Sequence, residues 1–284
     1  MSLAALALVA AAFSLQELQG TAVEQARSLL EAGRAEEALE VLEQAAHRPP
    51  ASAPPGWDAE IRWWAGWIHY RSGRWDFARE AFLRSLEGNP AYTNALYHAG
   101  RASIALEDSA GAEDLFLRLA RDAGEGLLPL VLAAEGDAGP FSWEVFLLAD
   151  RAFREGRLGR AGDLSEIRTA LAPADVDAWN NLAFLRRQDG RYREAWEAYV
   201  RAAALRRGDP RLWNDAALIQ HYYLQEDLPL ARAMYERAIE CAGALLLESR
   251  TSAPSRAAAK SALKDAQENL RRLLEGRRGP APLR

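Results

Sequence analysis

Trp63, Trp67 and Tyr70 have the most suggestive spacing of any side chains here that could do chemistry. They fall at i, i+4 and i+7, which puts them on one face of a helix. Trp, Tyr and Arg are the side chains that most often anchor a protein interface. Ile61, Trp64, Ala65 and Ile68 form a second apolar stripe on the same segment. This helix therefore carries more apolar surface than one packing contact needs. Two readings stand side by side: the trio anchors a partner, or it is covered by the N-terminal part of the chain, including the Pro-rich stretch 49–56.

Nothing comparable points to catalysis. His47, His69, His98 and His221 are scattered without ligand-like spacing. The single cysteine, Cys241, excludes an intramolecular disulfide and a Cys-based zinc site, and between Ile239 and Ala242 it reads as an inert buried thiol. His221, Tyr222 and Tyr223 sit together, but one His beside two Tyr is no ligand set, and Tyr223 and Leu224 fit an elongated turn. No GxSxG, HExxH, P-loop or Rossmann glycine pattern is present. The expectation is a non-enzymatic protein with no cofactor and no metal. Acidic residues pair with Arg at helical spacing, as in Arg193–Glu197, and read as solvated faces.

The elements that hold these residues belong to a chain of 284 residues, 49% hydrophobic and 26% charged, the profile of a folded protein with a sizeable core. A net charge of −5 argues against a general nucleic-acid binder. The C-terminal region 250–284 is locally basic, with nine Lys or Arg against three Asp or Glu, and reads as a solvated helix face and tail. Residues 1–16 carry no charged side chain, and the apolar run 3–13 has signal-peptide length but cannot span a bilayer. Small residues Ala10, Ala11, Ala12 and Ser14 stand where a cleavage site would fall, although no Lys or Arg precedes the run. Export to an extracytoplasmic space such as the periplasm is the favoured reading; the alternative is an apolar first helix of a cytoplasmic protein. No other stretch is long and uncharged enough for an integral membrane span.

Internal periodicity is the strongest signal. In 176–210, Trp179, Leu182, Ala183, Gly190, Tyr192, Ala195, Tyr199 and Ala202 define a register. Gly156, Leu158 and Ala161 repeat part of it 34 residues earlier, followed by Pro173; in 59–90 it is kept by Gly66, Gly73, Trp75, Ala78, Phe82 and Pro90. Gly33, Ala38, Leu42, Ala45 and Pro50 repeat its second half. Each unit reads as two helices: apolar steps of three and four on either side of a central Gly, a small residue for close helix approach, and a late Pro as a stop. Three units are degraded: the first, about 19–52, lacks the large residues of its first helix. Residues 93–123 keep Gly100, Ala112, Phe116 and Leu119 but carry Glu107 at the turn position, and 210–243 has about two extra residues around 225–228.

These residues resemble the tetratricopeptide repeat. The resemblance covers about 19–243, as six repeats grouped 19–123 and 142–243, with a Gly/Pro-rich insertion at 124–141 that holds a short helix at 127–134. It implies an all-α fold, a right-handed superhelix (α-solenoid) of helical hairpins. A capping helix is expected at 254–276, with Leu263, Ala266, Leu270, Leu273 and Leu274 as its apolar stripe, and a disordered basic tail after it.

In that family the first helix of each pair lines a concave groove that binds peptides or protein segments. The groove positions that the resemblance implies include Phe146, Asn181, Phe184, Arg187, Arg211 and Asn214, beside Trp63, Trp67 and Tyr70. Asn181 stands where family members use an amide to hold an extended peptide backbone. The Lys/Asn/Arg clamp that some members use for a C-terminal carboxylate is not reproduced, since Phe146 and Asp150 occupy two of its positions. The implied function is a non-catalytic scaffold or adaptor for a protein or peptide partner. The alternatives are an accessory subunit of an enzyme complex and a self-associating structural protein.

Overall fold

A computed structural model describes residues 22–48, 56–248 and 252–276. The expected signal peptide, most of the Pro-rich spacer and the basic tail lie outside these residues. Among the described residues the secondary structure is helical, with no strand. The chain divides into two compact units, residues 1–130 and 131–284.

The first unit holds α1 (22–31), α2 (Ala35–His47), α3 (Ala59–Arg71), α4 (Trp75–Gly88), α5 (Thr93–Ala105) and α6 (Ser109–Ala123). A 3-10 turn, Gly124–Gly126, leads into α7 (Leu127–Glu135), within which the division between the units falls. The second unit continues with α8 (Gly139–Arg154), α9 (Leu158–Leu171), α10 (Val176–Gln188), α11 (Tyr192–Leu205), α12 (Pro210–Ile219), α13 (Leu228–Leu247) and α14 (Ala253–Leu274). Apart from α7, consecutive helices within each unit pack as antiparallel hairpins, and each hairpin stacks on the next, an all-α solenoid arrangement. None of the described helices is long and apolar enough to cross a membrane.

Five of the six hairpin turns share one chemistry. At Gly73 the backbone is left-handed (φ +70°), the Gly73 N–H donates to Tyr70 O at 3.1 Å, and the Arg74 N–H donates to His69 O at 3.0 Å. This closes the free carbonyls of the helix end in a Schellman motif. The same pair of bonds recurs at Gly33, Gly156 and Gly190. Glu107 performs it too, at φ +59°: its N–H donates to Ile104 O at 3.0 Å and that of Asp108 to Ser103 O at 2.9 Å. A side chain with a Cβ therefore occupies a conformation that the other four turns of this type give to glycine.

Packing inside the hairpins follows the 34-residue period. A Cβ on Gly66 would lie 2.7 Å from the Phe82 ring, and one on Gly100 would lie 2.2 Å from the Phe116 ring. Both rings are fully buried, so each glycine is the space its partner ring fills. The tryptophans keep the same period: Trp179 Nε1 donates to Pro173 O and Trp213 Nε1 to Arg207 O, each at 2.9 Å.

Two departures from the repeat stand out in the second unit. Arg186, only 1% exposed, reaches Asp163 (2.7 Å) and Glu166 (2.8 Å) on α9 and Glu194 (3.2 Å) on α11. A guanidinium taken out of water is tolerated only with such partners. Gly162 leaves room for it, since a Cβ there would come within 2.7 Å of Arg186 Nη1. In the sixth hairpin a π turn over Gln220–Leu224 absorbs the extra length, closed by the Gln225 N–H on Gln220 O at 2.8 Å with Gln225 left-handed at φ +56°. It turns His221 and Tyr222 into the core and stacks Tyr223 on Tyr192 at 4.1 Å.

The last helix, α14, packs on α12 and α13. Its buried face is Ala259, Ala262, Ala266 and Asn269, with Leu270 and Leu273 resting on the core at its edge. The expected leucine stripe is thus only partly used: Ala266 is buried, but Leu274 is 63% exposed. Alanines let α14 approach closely, and the bulkier leucines are left to the rim.

Candidate functional site

Trp63, Trp67 and Tyr70 all lie on α3 and are half-buried, but they do not share one environment. Trp63 packs edge-on against Trp64 (5.1 Å) and His98 (5.6 Å). Tyr70 meets Trp75 (5.0 Å), Phe82 and the same His98 (5.6 Å). Trp67 rests on Trp64 at 5.8 Å, beside the cluster of Leu42, Ile61 and Ile68, with the Arg71 guanidinium 5.5 Å from its ring. His98, on α5, is the hub that sequence spacing did not single out.

The remaining groove residues all lie in the second unit. Phe146, on α8, is held between Trp143, stacked at 5.0 Å, and the guanidinium of Arg168 at 5.1 Å. Trp143 itself is 58% exposed, and Leu147 one turn on is also exposed. The side chain of Asp175 caps α10 by accepting the N–H groups of Asp177 and Ala178. That start directs Ala178, Leu182, Ala183 and Leu185 inward and leaves Asn181, Phe184 and Arg187 half-buried along the flank. Phe184 lies edge-on to Phe153 at 5.7 Å, and the Arg187 guanidinium covers its ring at 5.6 Å. Asp209 caps α12 in the same way, accepting the Arg211 N–H, with Pro210 at the first helical position.

Three of these positions converge. A cleft of about 270 Å3 is lined by Arg187 of α10, by Arg211, Asn214, Asp215 and Leu218 of α12, and by Lys264, Asp265, Glu268, Asn269 and Arg272 of α14. Asn269 Nδ2 donates to Asn214 Oδ1 at 3.0 Å, a buried bond that fixes α14 against α12. Asn214 Nδ2 approaches Asp215 Oδ1 at 3.4 Å. Burial pushes the Asp215 carboxyl up to about 6, against the opposing pull of Arg187, Asn214 and Arg211. On the rim, Arg271 and Arg272 both bond Glu268 and hold its carboxyl down at about 2.

The α14 side of the cleft was not legible as a site. Lys264, Asp265 and Glu268 look like any solvated helix face, and Asn269 gives no signal of burial. Elsewhere, His69 makes no hydrogen bond through Nδ1 and stacks on Phe77 at 5.4 Å; burial, with a smaller push from Arg74, lowers its pKa. Burial likewise raises the pKa of the Cys241 thiol, which donates to Arg207 O at 3.3 Å. Among the described residues no group of three or more His, Cys, Asp or Glu side chains is placed to hold a metal ion.

Helical hairpins that keep one period and, in five of six, one turn chemistry, stacked around small-residue contacts, define a helical-repeat protein. Residues 23–92 and 65–126 match the tetratricopeptide repeat family. Residues 23–126 are thus tetratricopeptide repeats. A search of curated protein sequences returns no match. Among solved structures, it is similar to a tetratricopeptide repeat protein from Parabacteroides merdae, with 16% identity over 91% of this chain and 98% of that one (TM-score 0.42). It is also similar to MamA, with 17% identity over 63% of this chain and 95% of that one (TM-score 0.34). A third is PcrH in complex with the chaperone binding region of PopD, with 19% identity over 47% of this chain and 90% of that one (TM-score 0.39).

Proposed function

We propose that the protein is a non-catalytic scaffold that binds a peptide or protein segment along the first helices of its second unit. Asn181, Phe184 and Arg187 of α10, Arg211 and Asn214 of α12, and Phe146 of α8 form the binding set. The observation that carries this reading is the cleft itself: Arg187, Arg211 and Asn214 come from two helices and line one recess, with polar groups of α14 as its far wall. A concave site with a few convergent polar groups beside an aromatic ring is what recognition of a short segment needs. Trp63, Trp67 and Tyr70 stay in the proposal as a second surface, but their contacts with His98, Trp75 and Trp64 favour a packing role. An accessory subunit of an enzyme complex would use the same groove. Self-association through the end faces would not.

The test is an affinity pull-down from the native host with wild-type protein and with the Asn181→Ala/Phe184→Ala double variant. Loss of the captured partner with an unchanged helical spectrum supports the groove. Equal capture by both proteins contradicts it. Export is a separate proposal, resting on the uncharged segment 1–16. A native protein whose mass includes that segment would place it in the cytoplasm instead.

A further inference from the structure

We infer that the cleft between α10, α12 and α14 recognises an internal Asp or Glu side chain of an extended peptide, and that the C-terminal helix supplies part of this recognition as well as closing the repeat array. The inference rests on the groove reading above and names the chemistry of its occupant.

Arg187 and Lys264 line the cleft and form no direct ion pair with any described residue, Arg187 acting on the Asp215 carboxyl only at longer range. Arg211 has only a long 3.5 Å approach to Asp209, whose other carboxylate oxygen is already engaged in capping α12. By contrast, several arginines of α13 and α14 are matched in helical register: Arg232–Glu236 (2.8 Å), Arg237–Glu240 (3.0 Å) and Arg271–Glu268 (2.8 Å). Even Arg272, inside the cleft, is neutralised by Glu268 at 2.7 Å.

Arg187, half-buried in this recess, is better accommodated once a carboxylate arrives, and charge-assisted bonds of this kind are the strong ones. The Phe184 ring beneath Arg187 restrains the guanidinium, so less freedom is lost on binding. The acidic lining selects the size of the occupant. Asp215, Asp265 and Glu268 would repel a polyanion such as a nucleic-acid backbone, whereas one carboxylate between Arg187, Arg211 and Lys264 is matched. Lys264 belongs to α14, so the helix that covers the last repeat also contributes to the site.

The experiment is an array of N-acetylated, C-amidated peptides of varied composition, probed with the full-length protein. Capping removes terminal carboxylates, so only side chains can satisfy the cations. The expected binders contain Asp or Glu. Replacing that residue by its amide weakens binding about tenfold or more, and Arg187→Gln and Lys264→Gln each cause a comparable loss. Two outcomes overturn the inference while leaving the groove in place. One is a set of binders indifferent to the acid-to-amide change but lost with Phe184→Ala. The other is wild-type binding by both charge variants. An array with no binders overturns the inference and the groove reading together.

Discussion

Asn269 of α14 donates its side-chain amide to Asn214 Oδ1 on α12 at 3.0 Å, and both residues are buried. The bond crosses 55 residues of sequence and joins the terminal helix to a first helix of the last hairpin. It also sets one wall of the cleft against another, so docking of α14 and the shape of the site depend on the same pair. Asn269→Ala leaves the Asn214 carbonyl without this donor. The expected loss is about 1–3 kcal/mol of stability, read from urea unfolding. An unchanged midpoint would show that α14 is held by its alanine face alone.

Asp215 gives the cleft a pH signature. Its carboxyl titrates near 6 in the folded chain, above its ordinary value of 3.8, because burial disfavours the charged form. The folded state therefore binds the proton more tightly than the unfolded state, and the cost of ionising Asp215 appears as pH rises between these values. Asp215→Asn removes that cost. The variant gains up to about 3 kcal/mol over wild type at pH 7 and little at pH 4. Equal gains at both pH values would mean that the carboxyl is not perturbed.

Glu107 holds a left-handed conformation that Gly33, Gly73, Gly156 and Gly190 hold in the other hairpins. Glu107→Gly relieves the contact between its Cβ and the backbone, and the expected gain is about 1 kcal/mol despite the greater freedom of glycine in the unfolded chain. Thermal unfolding of the two proteins measures it. A loss of stability would mean that the Glu107 side chain contributes more than its backbone costs.

Trp67 tests whether the first unit offers a second surface. Its ring rests on Trp64 and borders Leu42, Ile61 and Ile68. Trp67→Ala is expected to cost about 2–3 kcal/mol, less than the ~3–5 kcal/mol of a fully buried tryptophan. A change below about 0.5 kcal/mol would return Trp67 to the list of interface anchors, since surface substitutions fall in that range.

The hairpins were legible because their constraints are local. A turn glycine, a small residue and a buried ring at fixed spacing leave the backbone one good solution, and even Glu107 conforms to it. The environment of Trp63, Trp67 and Tyr70 was not legible. Spacing assigns residues to a helix face, but it does not say that His98 of the next hairpin meets Trp63 and Tyr70 while Trp67 turns to Trp64. The π turn at Gln220–Leu224 escaped for a similar reason, because two extra residues fit a loop or a helical bulge equally well. On α14 the leucines drew the eye, yet the close contact is made by alanines and by Asn269, a type that usually faces water. Half of the cleft was hidden with it, since a Lys or Glu facing a recess has the same sequence pattern as one facing solvent.

The central claim is that a partner lies along α10 and α12, and photo-crosslinking reads it most directly. p-Benzoylphenylalanine at Asn181 on α10 and, separately, at Arg232 on α13 reports contact from each helix in host cells. Arg232 is exposed and, among the described residues, pairs with Glu236 of its own helix. The account predicts a discrete crosslinked species from position 181 and none from position 232. Crosslinking from 232 alone, or no species from 181 while the wild-type protein still captures its partner, would contradict it.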